Sequence, residues 1–211
     1  MSGADIEVAG LTKEFRVARR EAGEPLQYVV GSWGFRRLDL AVDRRALIPR
    51  PETEVTAEVA IDAARRIAEP IVVDLGTGSG AIGLSVAWEC RHAHVWATDR
   101  SSEALEVARA NLAGLGRAGA RVRLAAGDWF GALPDDLVGR VDVAVSNPPY
   151  VRLDDPFSHA RLAQRPHVVD DVSTQVKCML HHFSLAGIDR HRHAQMHRFA
   201  QHGQNTGKLI L

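Results

Sequence analysis

From residue 71 onward the apolar and polar positions switch between two periods. Ile71-Val72-Val73-Asp74-Leu75 is a short apolar run of strand length, and Ala81 to Glu89 follows as a helix. His94 to Thr98 predicts a second strand. Ser101 or Ser102 then caps a helix in which Ala104, Leu105, Val107, Ala108 and Leu112 recur at helical spacing. Arg121 to Ala126 and Val141 to Ser146 predict a third and a fourth strand. Upstream, Leu38, Leu40 and Val42 alternate with Asp39, Ala41 and Asp43, so the stretch from Gln27 to Ile48 predicts a strand or hairpin with one buried face. Glu24-Pro25-Leu26 predicts an extended lead-in to it. Val55, Val59, Ala63 and Ile67 continue a helical stripe to about Ala68, opened by Glu52 and Glu54, where acids suit the helix dipole. Ala4 to Ala22 predicts a further short helix, ended by Gly23.

Strands alternating with helices at this spacing predict an α/β fold: a Rossmann-like, doubly wound, mostly parallel sheet with right-handed crossovers. In such sheets ligands gather beyond the carboxyl ends of the strands. Each predicted strand here ends in unusual residues. Gly76-Thr77-Gly78-Ser79-Gly80 follows the first, Asp99 closes the second, Gly127-Asp128-Trp129 follows the third, and Asn147-Pro148-Pro149-Tyr150 follows the fourth.

The glycine run permits a tight turn and close backbone approach to a ligand, at the start of a helix with free N–H groups. Asp99 lies where an acid would accept two ribose hydroxyls. Asp128 and Trp129 would flank a flat ring, the acid accepting from an exocyclic amine and the indole stacking on the ring. Residues 78 to 83 also match GxGxxG, so a dinucleotide-dependent oxidoreductase stands as a rival, although no second mononucleotide half is visible downstream. Pro148 and Pro149 stiffen the last loop and lack N–H groups, Asn147 adds an acceptor and two donors, and Tyr150 offers a flat ring. Together these either grip a small planar polar group or merely end a strand in an Asn-Pro turn. Arg50, between Pro49 and Pro51, is either a rigid helix lead-in or a ligand or substrate contact.

Composition narrows the partners. The 211 residues carry 26 basic and 26 acidic side chains, a net charge of zero, so bulk electrostatics favour neither DNA nor RNA. Cys90 and Cys178 have no CxxC spacing, and no zinc site or disulfide framework is expected. Met1 runs into Asp5 and Glu7 without an apolar stretch, and no run approaches the roughly 18 apolar residues of a membrane span, so a soluble, cytoplasmic protein is expected.

Gly76 to Gly80, Asp99, Asp128-Trp129 and Asn147 to Tyr150 together resemble the class I S-adenosylmethionine-dependent methyltransferases, specifically the N-methyltransferases whose fourth strand ends in Asn-Pro-Pro-Tyr. Glu24 to Gly31, Phe35 and Leu47-Ile48-Pro49-Arg50-Pro51-Glu52-Thr53-Glu54 are similar to the peptide chain release factor glutamine methyltransferases; the likeness covers residues 19 to 151. It implies methyl transfer from S-adenosylmethionine to the glutamine amide in the Gly-Gly-Gln loop of a release factor. It also implies roles: Asn147, Pro148 and Tyr150 in catalysis, and Gly76, Thr77, Gly78, Ser79, Gly80, Asp99, Asp128, Trp129 and Asn147 on the cofactor. Arg50 and Asn147 to Tyr150 would face the substrate, and no metal is called for. Methylation of an exocyclic amine in RNA or DNA, or an inactive truncated homologue, are the alternatives.

The expected organisation is a remnant of an N-terminal helical substrate domain over 1–24, a β-hairpin linker over 25–50, a methyltransferase domain over 51–155 and an atypical His-rich tail over 156–211. The N-terminal domain is expected to be cut short and the sheet to lack its last strands. Val168, Val172, Val176, Met179, Leu180 and Phe183 predict one amphipathic helix in the tail, beyond which His191, His193, His197 and His202 stand in polar surroundings. The tail is expected to be disordered or unrelated to the fold.

Overall fold

The computed structural model describes residues 18–147 and the backbone of 168–169 and 208–210. In chain order the elements are α1 (Leu26–Val30), β1 (Ser32–Phe35), β2 (Leu38–Ala41), α2 (Pro51–Ala64) and β3 (Ile71–Leu75). There follow α3 (Ala81–Glu89), β4 (His94–Asp99), α4 (Ser102–Ala113), β5 (Val122–Ala126), β6 (Val143–Ser146), β7 (Val168–Val169) and β8 (Lys208–Ile210). Strands β1 and β2 form the antiparallel hairpin. The other six form one sheet in the order β5-β4-β3-β6-β8-β7, parallel except for β7. The chain enters at β3, winds outward through β4 to β5, then crosses back to β6 on the other side of β3. This is a Rossmann-like, doubly wound sheet, and its switch point lies between β3 and β6.

The period of two divides the core. Val72, Val95, Val122, Val143 and Val145 pack with Ala57, Ile61, Ile82, Leu84 and Val86, placing α2 and α3 on one face. Val73, Leu75 and Ala144 look the other way, against Phe130, Leu133 and Leu137 from two 3-10 turns. Burial of this kind yields roughly 25 cal/mol per Å² of apolar surface, which outweighs the modest helix propensity of the β-branched residues.

Three expectations are corrected. Residues 26–30 form a helical turn, not the start of a strand: Tyr28 and Val29 donate their N–H groups to the Pro25 carbonyl. Burial of Val29 and a bond from the Tyr28 hydroxyl to the Ala46 carbonyl (2.9 Å) hold that turn against the β preference of its valines. The sheet does not stop at β6, because Lys208–Ile210 pairs parallel with Val143–Val145 and covers that edge. Val168–Val169 pairs antiparallel with β8 and so does not open the expected tail helix. Pieces of the tail thus belong to the sheet; the rest of it, its histidines included, and residues 4–17 of the first predicted helix lie outside the described residues. Among the described residues, no helix is long and apolar enough to cross a membrane.

One charged clasp holds the hairpin to the sheet domain, and a second ties the segment before the hairpin to the loop after it. Arg36, at φ +50° in the β1–β2 turn, donates its N–H to Glu54 Oε1 (2.9 Å) and forks onto Glu89 at 2.7 and 3.2 Å. Glu24 accepts two bonds from Arg19 at 2.5 and 2.6 Å and one from Arg44 at 3.1 Å. Those guanidinium groups, Arg19 foremost, hold the Glu24 carboxyl down to about 2.

Candidate active site

The glycine turn is tied to its neighbours by backbone and carboxylate. Gly76 and Thr77 both donate to the Thr98 carbonyl, at 2.8 and 2.9 Å, so the ends of β3 and β4 leave the sheet together. Gly78 N–H donates to Asp99 Oδ2 at 2.9 Å, and Ser101 N–H donates to Asp99 Oδ1 at 2.9 Å. Each Asp99 oxygen keeps a further lone pair for a hydroxyl. Gly78 adopts φ +57°, where a side chain would be strained, and a Cβ there would meet nothing within 4 Å, so its face of the turn is open. Gly80 closes the turn at φ +88°, and a Cβ there would strike Leu84 Cδ1 at 2.7 Å.

Asp74 lies beneath the turn. Its Oδ2 accepts the Thr77 hydroxyl at 2.6 Å and the Gly83 N–H at 2.9 Å, and the residue is 1% exposed. Burial pushes its carboxyl up to about 6 against those two bonds, and the charge of Asp99 adds to the rise. Sequence reasoning passed over Asp74; the available signal was a single acid inside an otherwise apolar strand that runs into glycines.

The third strand end joins the same cluster, for Gly127 N–H donates to the Asp99 carbonyl at 3.0 Å. Asp128 and Trp129 are half-buried. Trp129, at φ +50°, opens a 3-10 turn and packs beside Phe130 and Leu133, which fixes the plane of the chain at this corner. At the fourth end, Ser146 pairs in register with Leu75 and its hydroxyl donates to the Leu75 carbonyl at 2.7 Å. Asn147 therefore stands across the switch point from Gly76. Its Nδ2 donates to Thr53 Oγ1 at 2.7 Å. Thr53 belongs to the first turn of α2, three residues after Arg50, whose own side chain is exposed. Pro148, Pro149 and Tyr150 lie outside the described residues.

The strand ends thus assemble the glycine turn, Asp99, Asp128-Trp129 and Asn147 along one rim, with the proline-arginine-proline block brought to Asn147 by Thr53. An open cavity of about 370 Å³, lined by Arg19, Glu24, Tyr28, Asp43, Arg44 and Arg45, contains none of these residues. Its arginines are paired with its acids.

A profile of the family described as "Methyltransferase small domain" matches residues 56–165, just over half of the chain. The chain belongs to that family. Its match ends beyond Asn147 and spans β3 to β6 with every strand end above. The chain is 49% identical over 142 residues to the release factor glutamine methyltransferase of Burkholderia pseudomallei, covering 66% of this chain and 49% of that one. It is 50% identical over 147 residues to the protein of the same description from Bordetella pertussis, covering 70% and 51%. The chain spans about half the length of these curated relatives. A crystal structure of an S-adenosylmethionine-dependent methyltransferase from Agrobacterium tumefaciens superposes with a TM-score of 0.46 at 23% identity, covering 56% of this chain and 40% of that one.

Proposed function

We propose that this methyltransferase domain transfers a methyl group from S-adenosylmethionine to the side-chain amide nitrogen of the glutamine in the Gly-Gly-Gln loop of a peptide chain release factor. The Asn147–Thr53 bond carries this proposal: it joins the Asn-Pro-Pro-Tyr end of β6 to the Pro49-to-Glu54 block, the two motifs that resemble that enzyme family. The relatives bearing that description add support at about half identity.

The rim fits the cofactor. The open face over Gly78 leaves room for a ligand against the backbone, and Asp99 holds unused acceptor capacity beside it. Gly76, Thr77, Gly78, Ser79 and Gly80 would cradle the amino-acid portion, Asp99 would accept the ribose hydroxyls, and Asp128 and Trp129 would flank the base. The bound cofactor supplies a sulfonium methyl as electrophile. The rest of the chemistry falls to the protein, because an amide nitrogen is a weak nucleophile whose lone pair is delocalised. Asn147 Oδ1 and the Pro148 carbonyl would each accept one amide N–H, turning the nitrogen face towards the methyl. Both bonds strengthen as the nitrogen becomes cationic, which stabilises the transition state over the ground state. Tyr150 and Pro149 would pack on the amide, Arg50 would meet the partner protein, and the surplus amide proton passes to solvent. No histidine and no metal enters these steps. A segment over 1–24, a β-hairpin linker over 25–50 and a catalytic domain from residue 51 onward, whose sheet takes in 168–169 and 208–210, belong to the same proposal, as does a cytoplasmic location.

Incubation of the chain with labelled S-adenosylmethionine and either a release factor or RNA, beside Asn147→Ala, tests it. Label in the release factor glutamine, lost in the variant, is expected. Label in RNA alone would overturn it.

A further inference from the structure

Thr53 is a costly choice for its position unless its hydroxyl is used. It is 6% exposed in the first turn of α2, where its N–H already donates to the Arg50 carbonyl at 3.0 Å. Alanine would satisfy the helix better, since threonine loses χ1 freedom there and brings a polar atom into a buried place. The hydroxyl accepts the Asn147 Nδ2–H at 2.7 Å, across 94 residues of chain.

An asparagine amide is pseudo-symmetric, and turning it by half a rotation exchanges its oxygen for its nitrogen at almost no steric difference. In the structure Nδ2 is the atom bonded to the Thr53 oxygen, so the carbonyl oxygen faces away from α2, and the bond resists rotation of the amide out of that plane. We infer that Thr53 is a positioning residue: it holds the Asn147 amide with Nδ2 on α2 and Oδ1 turned to the rim, as an acceptor for the N–H of the group to be methylated. The inference rests on the proposed function for its substrate, but the anchor itself is a property of this chain. It also gives the Pro49-Arg50-Pro51 lead-in a purpose. Pro51 at the first helical position and the buried Pro49 fix where α2 begins, and hence where the hydroxyl stands.

The test compares Thr53→Val and Thr53→Ala, which both lack the hydroxyl, with Thr53→Ser, which keeps it. In protein with ¹⁵N-labelled asparagine, the side-chain signal of Asn147 is identified by its loss in Asn147→Ala. Both hydroxyl-free variants are expected to move that signal upfield, and Thr53→Ser to leave it near its wild-type place. With a release factor as substrate, kcat should fall about tenfold in Thr53→Val and Thr53→Ala, the scale of one orienting hydrogen bond, and recover in Thr53→Ser. KM and cofactor affinity should hold within about twofold. An unmoved Asn147 signal in the hydroxyl-free variants overturns the inference, as does an equal rate loss in Thr53→Ser or a loss confined to KM. A wild-type chain that methylates no release factor overturns the functional proposal instead, and the Asn147 signal then upholds or overturns the anchor by itself.

Discussion

The side chain of Asn111 pairs with Ala41 as though it were another strand. Ala41 N–H donates to Asn111 Oδ1 at 2.7 Å, and Asn111 Nδ2 returns a bond to the Ala41 carbonyl at 3.0 Å. The same Nδ2 donates to the Ser79 carbonyl at 2.9 Å, so one buried amide on α4 ties the hairpin to the glycine turn. Asn111→Leu keeps the volume, loses three hydrogen bonds and leaves the buried Ser79 carbonyl and the part-buried Ala41 groups without that partner. We expect it to destabilise the chain by roughly 2–4 kcal/mol in urea unfolding, with weakened cofactor binding. A change below about 0.5 kcal/mol would mean that the hairpin is held by other contacts.

Asp74 should leave a mark on stability against pH. Its carboxyl is raised to about 6 in the fold, above the roughly 3.9 of an unfolded chain. The folded state therefore binds the proton more tightly. The stability from this group is fully present below about pH 4 and is lost as pH rises through 6, a fall of about 3 kcal/mol. Asp74→Asn has no such titration. The difference between wild type and variant, followed by denaturant unfolding from pH 4 to pH 7.5, should shift against the wild type as pH rises. Parallel curves would exclude the assignment.

Glu89 is the opposite case. Its side chain is 4% exposed and faces Arg36 at 2.7 Å, Arg65 at 3.6 Å and Arg37 at 3.8 Å. Arg36 above all holds its carboxyl below the usual range, so this stabilisation is present above about pH 4 and lost as pH falls through the depressed value. Arg36→Ala leaves a nearly buried carboxylate with only the more distant Arg65 and Arg37 and should cost roughly 1–3 kcal/mol. Adding Glu89→Gln to it should restore part of that loss, which a double-mutant cycle reads directly.

Asp99→Asn keeps the shape of the strand end but replaces one acceptor oxygen with a donor. If the ribose hydroxyls lie there, calorimetry should find S-adenosylmethionine bound about 10- to 100-fold more weakly. Unchanged affinity would place the ribose elsewhere.

The sequence alone encodes the alternation of strand and helix from residue 71 to residue 146, because period two and period 3.6 are local properties of the chain. It also determined that unusual residues cluster after each strand, and with them the glycine turn, Asp99 and Asn147. Leu26–Val30 was illegible because a five-residue helix is too short to display a period and its valines favour a strand. The other features took shape only on folding. Lys208–Ile210 became a strand because β6 offered it an open edge, and nothing in a three-residue run names a partner more than 60 residues away. Asn111 and Thr53 are ordinary residue types in their local windows, and their roles depend on groups at the far end of a hydrogen bond. Hydrophobic pattern is written along the chain; hydrogen-bond partnership between distant side chains exists only once the chain has folded.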